Sequence, residues 1–238
     1  MPFPRMLLVK QNFPDRSLSD IPGTIQNELS GAGFGNNLKP GATVAIGVGS
    51  RGIGNIATIV KSVVSFWKGR GMSPFIFPAM GSHGAATAAG QADVLAHYGI
   101  IEETMGCPIR SSLDVISLGK TPEGIEAFLD KHASEADGVM LVGRIKQHTD
   151  FEGKIESGLF KMMGIGLGKW AGAKNYHTHA YRLGMERVIR SVGNQVLGSG
   201  KVLGGLAILE DAYHNTAKLS AVPVSRMLEM EEELQALV

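Results

Sequence analysis

Thr43-Val44-Ala45-Ile46-Gly47-Val48-Gly49-Ser50-Arg51-Gly52 decides the fold. Its first six residues form a short apolar run bounded by glycines, which reads as a strand buried on both faces. Residues 53–68 follow with apolar side chains at helical spacing (Ile56, Ile59, Val60, Val63, Val64, Trp67) and stop at Gly69. Strand, glycine turn and helix then recur. Residues 74–80 read as a second strand, and Thr87 is placed to cap a helix through Tyr98, ended by Gly99. Residues 113–118 and 125–129 are strand-like around the Thr121-Pro122-Glu123-Gly124 turn. Residues 138–142 and 202–209 are further strands, 183–192 an amphipathic helix and 225–237 an acidic closing helix. Alternating strands and helices imply an α/β fold with a mostly parallel sheet, helices on both faces and right-handed crossovers. Residues 31–37 (Gly-Ala-Gly-Phe-Gly-Asn-Asn) read as a flexible loop before the first core strand.

Composition narrows the function classes. The chain has 238 residues, enough for one large domain, and 44% hydrophobic residues, enough for a core at that length. A net charge of +1 gives no reason to expect a nucleic-acid or membrane surface. No apolar run reaches the ~18 residues of a membrane helix. The stretch Met6-Leu7-Leu8-Val9 is too short for a signal-peptide core. Cys107 is the single cysteine, which excludes an internal disulfide and fits a cytoplasmic protein; a small buried residue is its expected role. The 32 glycines are roughly twice the usual share, and many sit beside polar residues, where backbone can come close to a ligand.

Several side chains stand where chemistry is usual. Gly47-Val48-Gly49-Ser50-Arg51-Gly52 matches the dinucleotide pattern G-x-G-x-x-G, but the second strand carries no acidic residue to hold a ribose. The loop then suits another ligand, with Arg51 either a forked donor to a carboxylate or phosphate or a surface ion-pair partner. His83, in Gly81-Ser82-His83-Gly84, and His148, in Gln147-His148-Thr149-Asp150-Phe151, each follow a strand. Ligands in open α/β sheets bind beyond the carboxyl ends of strands. Two imidazoles there could serve as acid and base on opposite faces of a substrate, or both could be exposed loop histidines. Lys161 lies between apolar neighbours on both sides, so it either points outward or is functional with a lowered pKa or a covalent bond. His177 and His179 have a spacing that suits a metal on a strand or loop, though two imidazoles are a short ligand set. His97 and His132 read as structural.

These residues, in this order, resemble the N-terminal domain of the nickel-pincer nucleotide enzymes typified by lactate racemase. The likeness runs from about Thr43 to Asp211 and is carried by Gly49-Ser50-Arg51, Gly81-Ser82-His83-Gly84, His148-Thr149-Asp150-Phe151, Gly158-Leu159-Phe160-Lys161 and Tyr176-His177. It implies a Rossmann-like cofactor-binding domain spanning 1–238, with the family's C-terminal domain absent. The implied activity is racemisation or epimerisation of small 2-hydroxy acids by hydride transfer. The resemblance makes His83 and His148 the two catalytic bases and gives Arg51 the substrate or its developing charge. Gly49 and Ser50 fall in the cofactor loop. Lys161 would carry the nickel-pincer nucleotide through a thioamide, and His177, 16 residues further on, would complete the nickel coordination. That separation favours Lys161 over Lys154 or Lys169. Alternatives are a non-catalytic nucleotide- or metabolite-binding domain and a nicotinamide-dependent oxidoreductase. Expected partners are a 2-hydroxy acid and either a separate C-terminal domain or a second copy of the chain.

Overall fold

A computed structural model describes residues 4–49 and 52–238. In chain order the elements are α1 (Ile21–Ala32), β1 (Thr43–Val48), α2 (Ile56–Gly69), β2 (Ser73–Pro78), α3 (Ala88–His97) and α4 (Glu102–Met105). Then come β3 (Val115–Lys120), β4 (Glu126–Asp130), α5 (Lys131–Glu135), β5 (Gly138–Arg144) and α6 (Leu159–Lys161). A π-helical turn (Met162–Gly166) leads to α7 (Lys169–Leu183), α8 (Met185–Gly198), β6 (Val202–Glu210), β7 (Thr216–Pro223) and α9 (Met227–Gln235).

The central sheet has the order β2-β1-β5-β6-β7. β1 pairs in parallel with β2 and β5, and β5 with β6; only the edge strand β7 runs antiparallel. The strands are apolar on both faces because each face has its own core. Ala45, Phe75, Phe77, Val139 and Leu141 point to one side, against Phe160 of α6, Tyr176 of α7 and Val188 and Val192 of α8. Val44, Ile46, Ile76, Met140 and Val142 point to the other, against Ile25 and Leu29 of α1, Ile59 and Val63 of α2 and Leu95 of α3. This is the mostly parallel α/β sheet with helices on both faces that the sequence predicts.

Differences from the sequence reading have local causes. The helix expected from residue 53 starts at Ile56, because Gly54 and Asn55 are tied down by β6 and β7: Gly54 N–H donates to Glu210 Oε1 at 2.6 Å and Asn55 Nδ2 to Thr216 Oγ1 at 3.3 Å. The β3–β4 hairpin leaves the main sheet as a two-stranded ribbon. The expected helix at 183–192 begins at Met185, since Gly184 breaks the chain at φ +81° after α7. The segment 31–37 ends α1 and buries Phe34 in the core. α1, α7 and β7 have no counterpart in the sequence reading. Thr87 does cap α3, accepting the Gly90 N–H at 3.0 Å. Cys107 is buried, and burial pushes its thiol pKa up.

Candidate functional site

Because β1, β2 and β5 are parallel, their carboxyl ends share one edge. A cavity of about 450 Å³ opens there, and Gly49, His83, His148, Lys161 and His177 all line it, with Arg144 and Lys146. Ser50 and Arg51, expected in the same loop, lie outside the described residues. A second cavity of about 600 Å³ adjoins it through Ser82 and His83 and extends to Asp93, His97 and Tyr98.

His83 sits on a loop built for close approach. Gly81 takes φ +61°, and a Cβ there would lie 2.8 Å from Ile165 Cγ2 and 3.0 Å from the Ile165 carbonyl. The loop is held from beneath by Gln91 of α3, fully buried, whose Nε2 donates to Gly81 O at 2.7 Å and His83 O at 3.3 Å. Gln91 Oε1 in turn accepts from Lys169 Nζ at 3.1 Å. Lys169 is itself wholly buried: it donates to Pro78 O at 2.6 Å and lies 3.1 Å from Asp130 Oδ2. Burial lowers its pKa while the Asp130 carboxylate raises it. These contacts hold Lys169 at φ +54°, a strained conformation for a residue with a side chain.

His148 belongs to a closed loop. Lys146 and Ser157 pair across its base. The carboxylate of Glu156, almost wholly buried, staples the loop by accepting the backbone N–H of His148 and, at 3.2 Å, that of Gly153. The His148 ring stacks on Phe151 with centroids 4.4 Å apart. Its Nδ1 accepts the Asp150 N–H at 3.1 Å. Burial first, and then the Lys161 ammonium, lower its pKa below the ordinary histidine value.

Lys161 ends α6, immediately before the π-helical turn, a rare conformation frequent at functional sites. The turn lies directly on the strand ends: a Cβ at Gly49 or Gly143 would come within 3.1 or 2.8 Å of Met162 Cε. Gly47 likewise faces Phe77, with 3.0 Å to its ring. Two glycines of the G-x-G-x-x-G pattern thus serve packing against protein. The start of α6 is fixed by Glu231 of α9, 1% exposed, which accepts the Phe160 N–H at 2.9 Å. Burial pushes the Glu231 carboxyl up to about 7. The Lys161 amine is pushed down to about 8, by burial and then by the Lys146 ammonium, against the pull of Asp150 and Glu156. It lies 3.5 Å from Ser157 Oγ and 5.6 Å from the centre of the Phe151 ring.

His177 lies on α7; the two-residue spacing to His179 would suit a metal on a strand or loop, but on a helix His179 faces elsewhere, and of the two only His177 lines the cavity. Its Nδ1 sits 2.6 Å from the Ala173 carbonyl, which can only accept, so Nδ1 carries the proton and Nε2 keeps a lone pair. That is how metal-binding imidazoles are commonly held. Among the described residues no group of three or more His, Cys, Asp or Glu side chains converges as a metal site. A metal beside His177 therefore needs most of its donors from a bound organic group. An amine with a pKa near 8 and an imidazole with a lone pair fit a covalently anchored metal cofactor.

The loop after β1 is braced from below. Arg144, at the end of β5, pairs with Glu210 of β6 and donates to Gly52 O at 2.9 Å, and Glu210 accepts the Gly54 N–H. Sequence reading passes over Gln91, Glu156, Arg144 and Glu231, and weighs Lys169 only as an alternative to Lys161. Each is a polar residue whose chain neighbours do not tell a buried brace from a solvated one: Glu231, for instance, stands in the acidic run Glu231-Glu232-Glu233.

The class these features define is an α/β protein of Rossmann-like architecture with a site at the strand carboxyl ends. Within it the fold is lactate racemase-like: the chain is similar to the lactate racemase apoprotein from Thermoanaerobacterium thermosaccharolyticum, with a TM-score of 0.65 and 14% sequence identity. The match covers 92% of this chain and 56% of that one, so the chain spans little more than half the length of this neighbour. No protein-family profile and no curated protein matches the sequence. No helix among the described residues is long and apolar enough to cross a membrane.

Proposed function

We propose that the chain is the cofactor-binding part of a nickel-pincer nucleotide-dependent racemase or epimerase of small 2-hydroxy acids. The observation that carries this reading is the meeting of His83, His148, Lys161 and His177 in one cavity, from four separate stretches of sequence. When bound, the cofactor would supply a hydride acceptor, the chemistry that inversion at a non-acidic Cα–H demands. Lys161 would anchor it through its side-chain nitrogen, and His177 would offer Nε2 to the metal. His83 and His148 would exchange the substrate's hydroxyl proton, each serving one hand of the substrate. Such general acid–base help is worth about 100- to 10,000-fold. Arg51 would help hold the substrate or its developing charge.

The test is mass spectrometry and metal analysis of the chain co-expressed with the cofactor's synthesis machinery. A mass increment on Lys161 with bound nickel is expected; unmodified Lys161 under those conditions overturns the reading. A second reading is a binding module that holds a nucleotide or acidic metabolite without turning it over, which a cavity lined by Gly49, Gly143, Gly158 and Gly166 beside Lys146 and Lys161 would also serve. Racemisation of a 2-hydroxy acid by the loaded chain excludes it.

A further inference from the structure

The two imidazoles His148 and His177 are held in opposite proton states. At His177 the partner of Nδ1 is a carbonyl, so the ring's lone pair is on Nε2. At His148 the partner of Nδ1 is the Asp150 backbone N–H, 3.1 Å away. An amide N–H needs an acceptor, so Nδ1 of His148 must be unprotonated and the neutral ring carries its proton on Nε2. Protonating the ring fully would set one N–H against another. The charged neighbours oppose it too: the ammonium groups of Lys161, from α6, and Lys146, on the same loop, both face His148, against the carboxylates of Asp150 and Glu156. Rotation of the ring is resisted by its contact with the Phe151 ring, while the Glu156 staple fixes the backbone that carries it.

His148 lines the cavity, and with Nδ1 taken by the Asp150 N–H its ring has a donor, Nε2–H, and no acceptor left for a ligand. A single N–H donor in a wall that also carries the ammonium groups of Lys146 and Lys161 against the one carboxylate of Asp150 favours an oxygen with lone pairs and negative charge. We propose that in the resting protein His148 Nε2–H is the docking point for an anionic oxygen of the ligand, the carboxylate of a small organic acid. His148 acts as a base only after it gives up the Asp150 N–H and moves its proton. This deepens the racemase reading by assigning the ligand atom that His148 meets first, and it rests on the cavity being the ligand site, not on the cofactor.

Long-range 1H–15N correlation spectra of the 15N-labelled chain, without cofactor and at pH 8, read the tautomer of each ring. The His148 signals are assigned by their loss in His148→Asn. The expected result is the Nε2-protonated form at His148 and the Nδ1-protonated form at His177 in the same spectrum. An Nδ1-protonated or evenly mixed ring at His148 overturns the proposal. Titration with sodium acetate, against sodium chloride at matched ionic strength, is expected to shift the His148 Nε2 resonance while the tautomer persists. A His148 ring that responds no more to acetate than to chloride also overturns it. Asp150→Pro, which removes the amide donor, is expected to shift His148 toward a mixture of tautomers; an unchanged tautomer in folded Asp150→Pro shows that the amide does not set it. A purely structural His148 would leave the acetate response absent. If Lys161 stays unmodified on co-expression but the tautomer and acetate shift are as stated, the racemase reading fails and the donor assignment stands.

Discussion

Lys161 and Lys169 lie eight residues apart in one glycine-rich segment, each among apolar neighbours, and the structure gives them opposite parts. Lys161 lines the cavity with an amine shifted to about 8 and, among the described residues, a 3.5 Å contact to Ser157 and a ring contact to Phe151. Lys169 is sealed in the core, where Pro78 O, Gln91 Oε1 and Asp130 surround its ammonium. The difference teaches that a buried lysine becomes structural when its proton is fully partnered and reactive when burial outruns its partners. The two are also linked, since Lys169 holds Gln91 and Gln91 holds the His83 loop.

The largest expected effect breaks the buried side of this comparison. Lys169→Met leaves Asp130 charged and unpaired in the core and should cost about 3–5 kcal/mol. Urea unfolding checks it, and a loss below ~1 kcal/mol would falsify the structural assignment. Lys161→Met should leave the midpoint at pH 7 unchanged or raise it. The folded-state pKa of this amine is depressed, so what it costs the fold is present below about pH 8 and fades as pH climbs toward its unfolded value.

Glu231, which fixes the start of the helix bearing Lys161, gives the next effect. Its folded pKa, about 7, is raised above the ordinary 4.5. Its contribution to stability is therefore full below about pH 4.5 and lost as pH rises through 7, a decline of about 3 kcal/mol. Unfolding of Glu231→Gln and the parent across pH 4.5–8 should show that decline in the parent and not in the variant. Parallel profiles would place the burial shift elsewhere.

Reactivity sharpens the contrast without disturbing the fold. Limited acetylation followed by peptide mapping should label Lys161 with half-maximal rate near pH 8, while Lys169 stays unlabelled until the chain unfolds. Equal labelling of the two would erase the distinction. The smallest effect is expected at the cavity histidines: His83→Ala and His148→Ala should each shift stability by about 1 kcal/mol or less, because their side chains line a cavity and do not fill a core. A collapse of thermal stability in both would make them structural.

Much of the fold is legible along the chain because its causes are local. Strands buried on both faces appear as unbroken apolar runs at 43–48 and 138–142, and the Thr87 cap and the Gly69 and Gly99 stops sit where the helices need them. β7 escapes because an edge strand with mixed burial has weak patterning, and α7 because Lys, Asn, His and Thr dilute its apolar spacing. The candidate site is legible only as far as placement: His83 and His148 follow strands, and parallel strands bring their carboxyl ends to one edge.

What the sequence by itself determined is the alternation of strand and helix, and with it the edge where chemistry collects. The tertiary structure alone decided the state of each group there. Lys169 finds its partners 91 and 78 residues away, His148 takes its proton state from a backbone N–H presented by a stapled loop, and Glu231 reaches Phe160 across 71 residues. The physical reason is that charge and proton position depend on local dielectric and on partners in space. Neither is written in the neighbours along the chain.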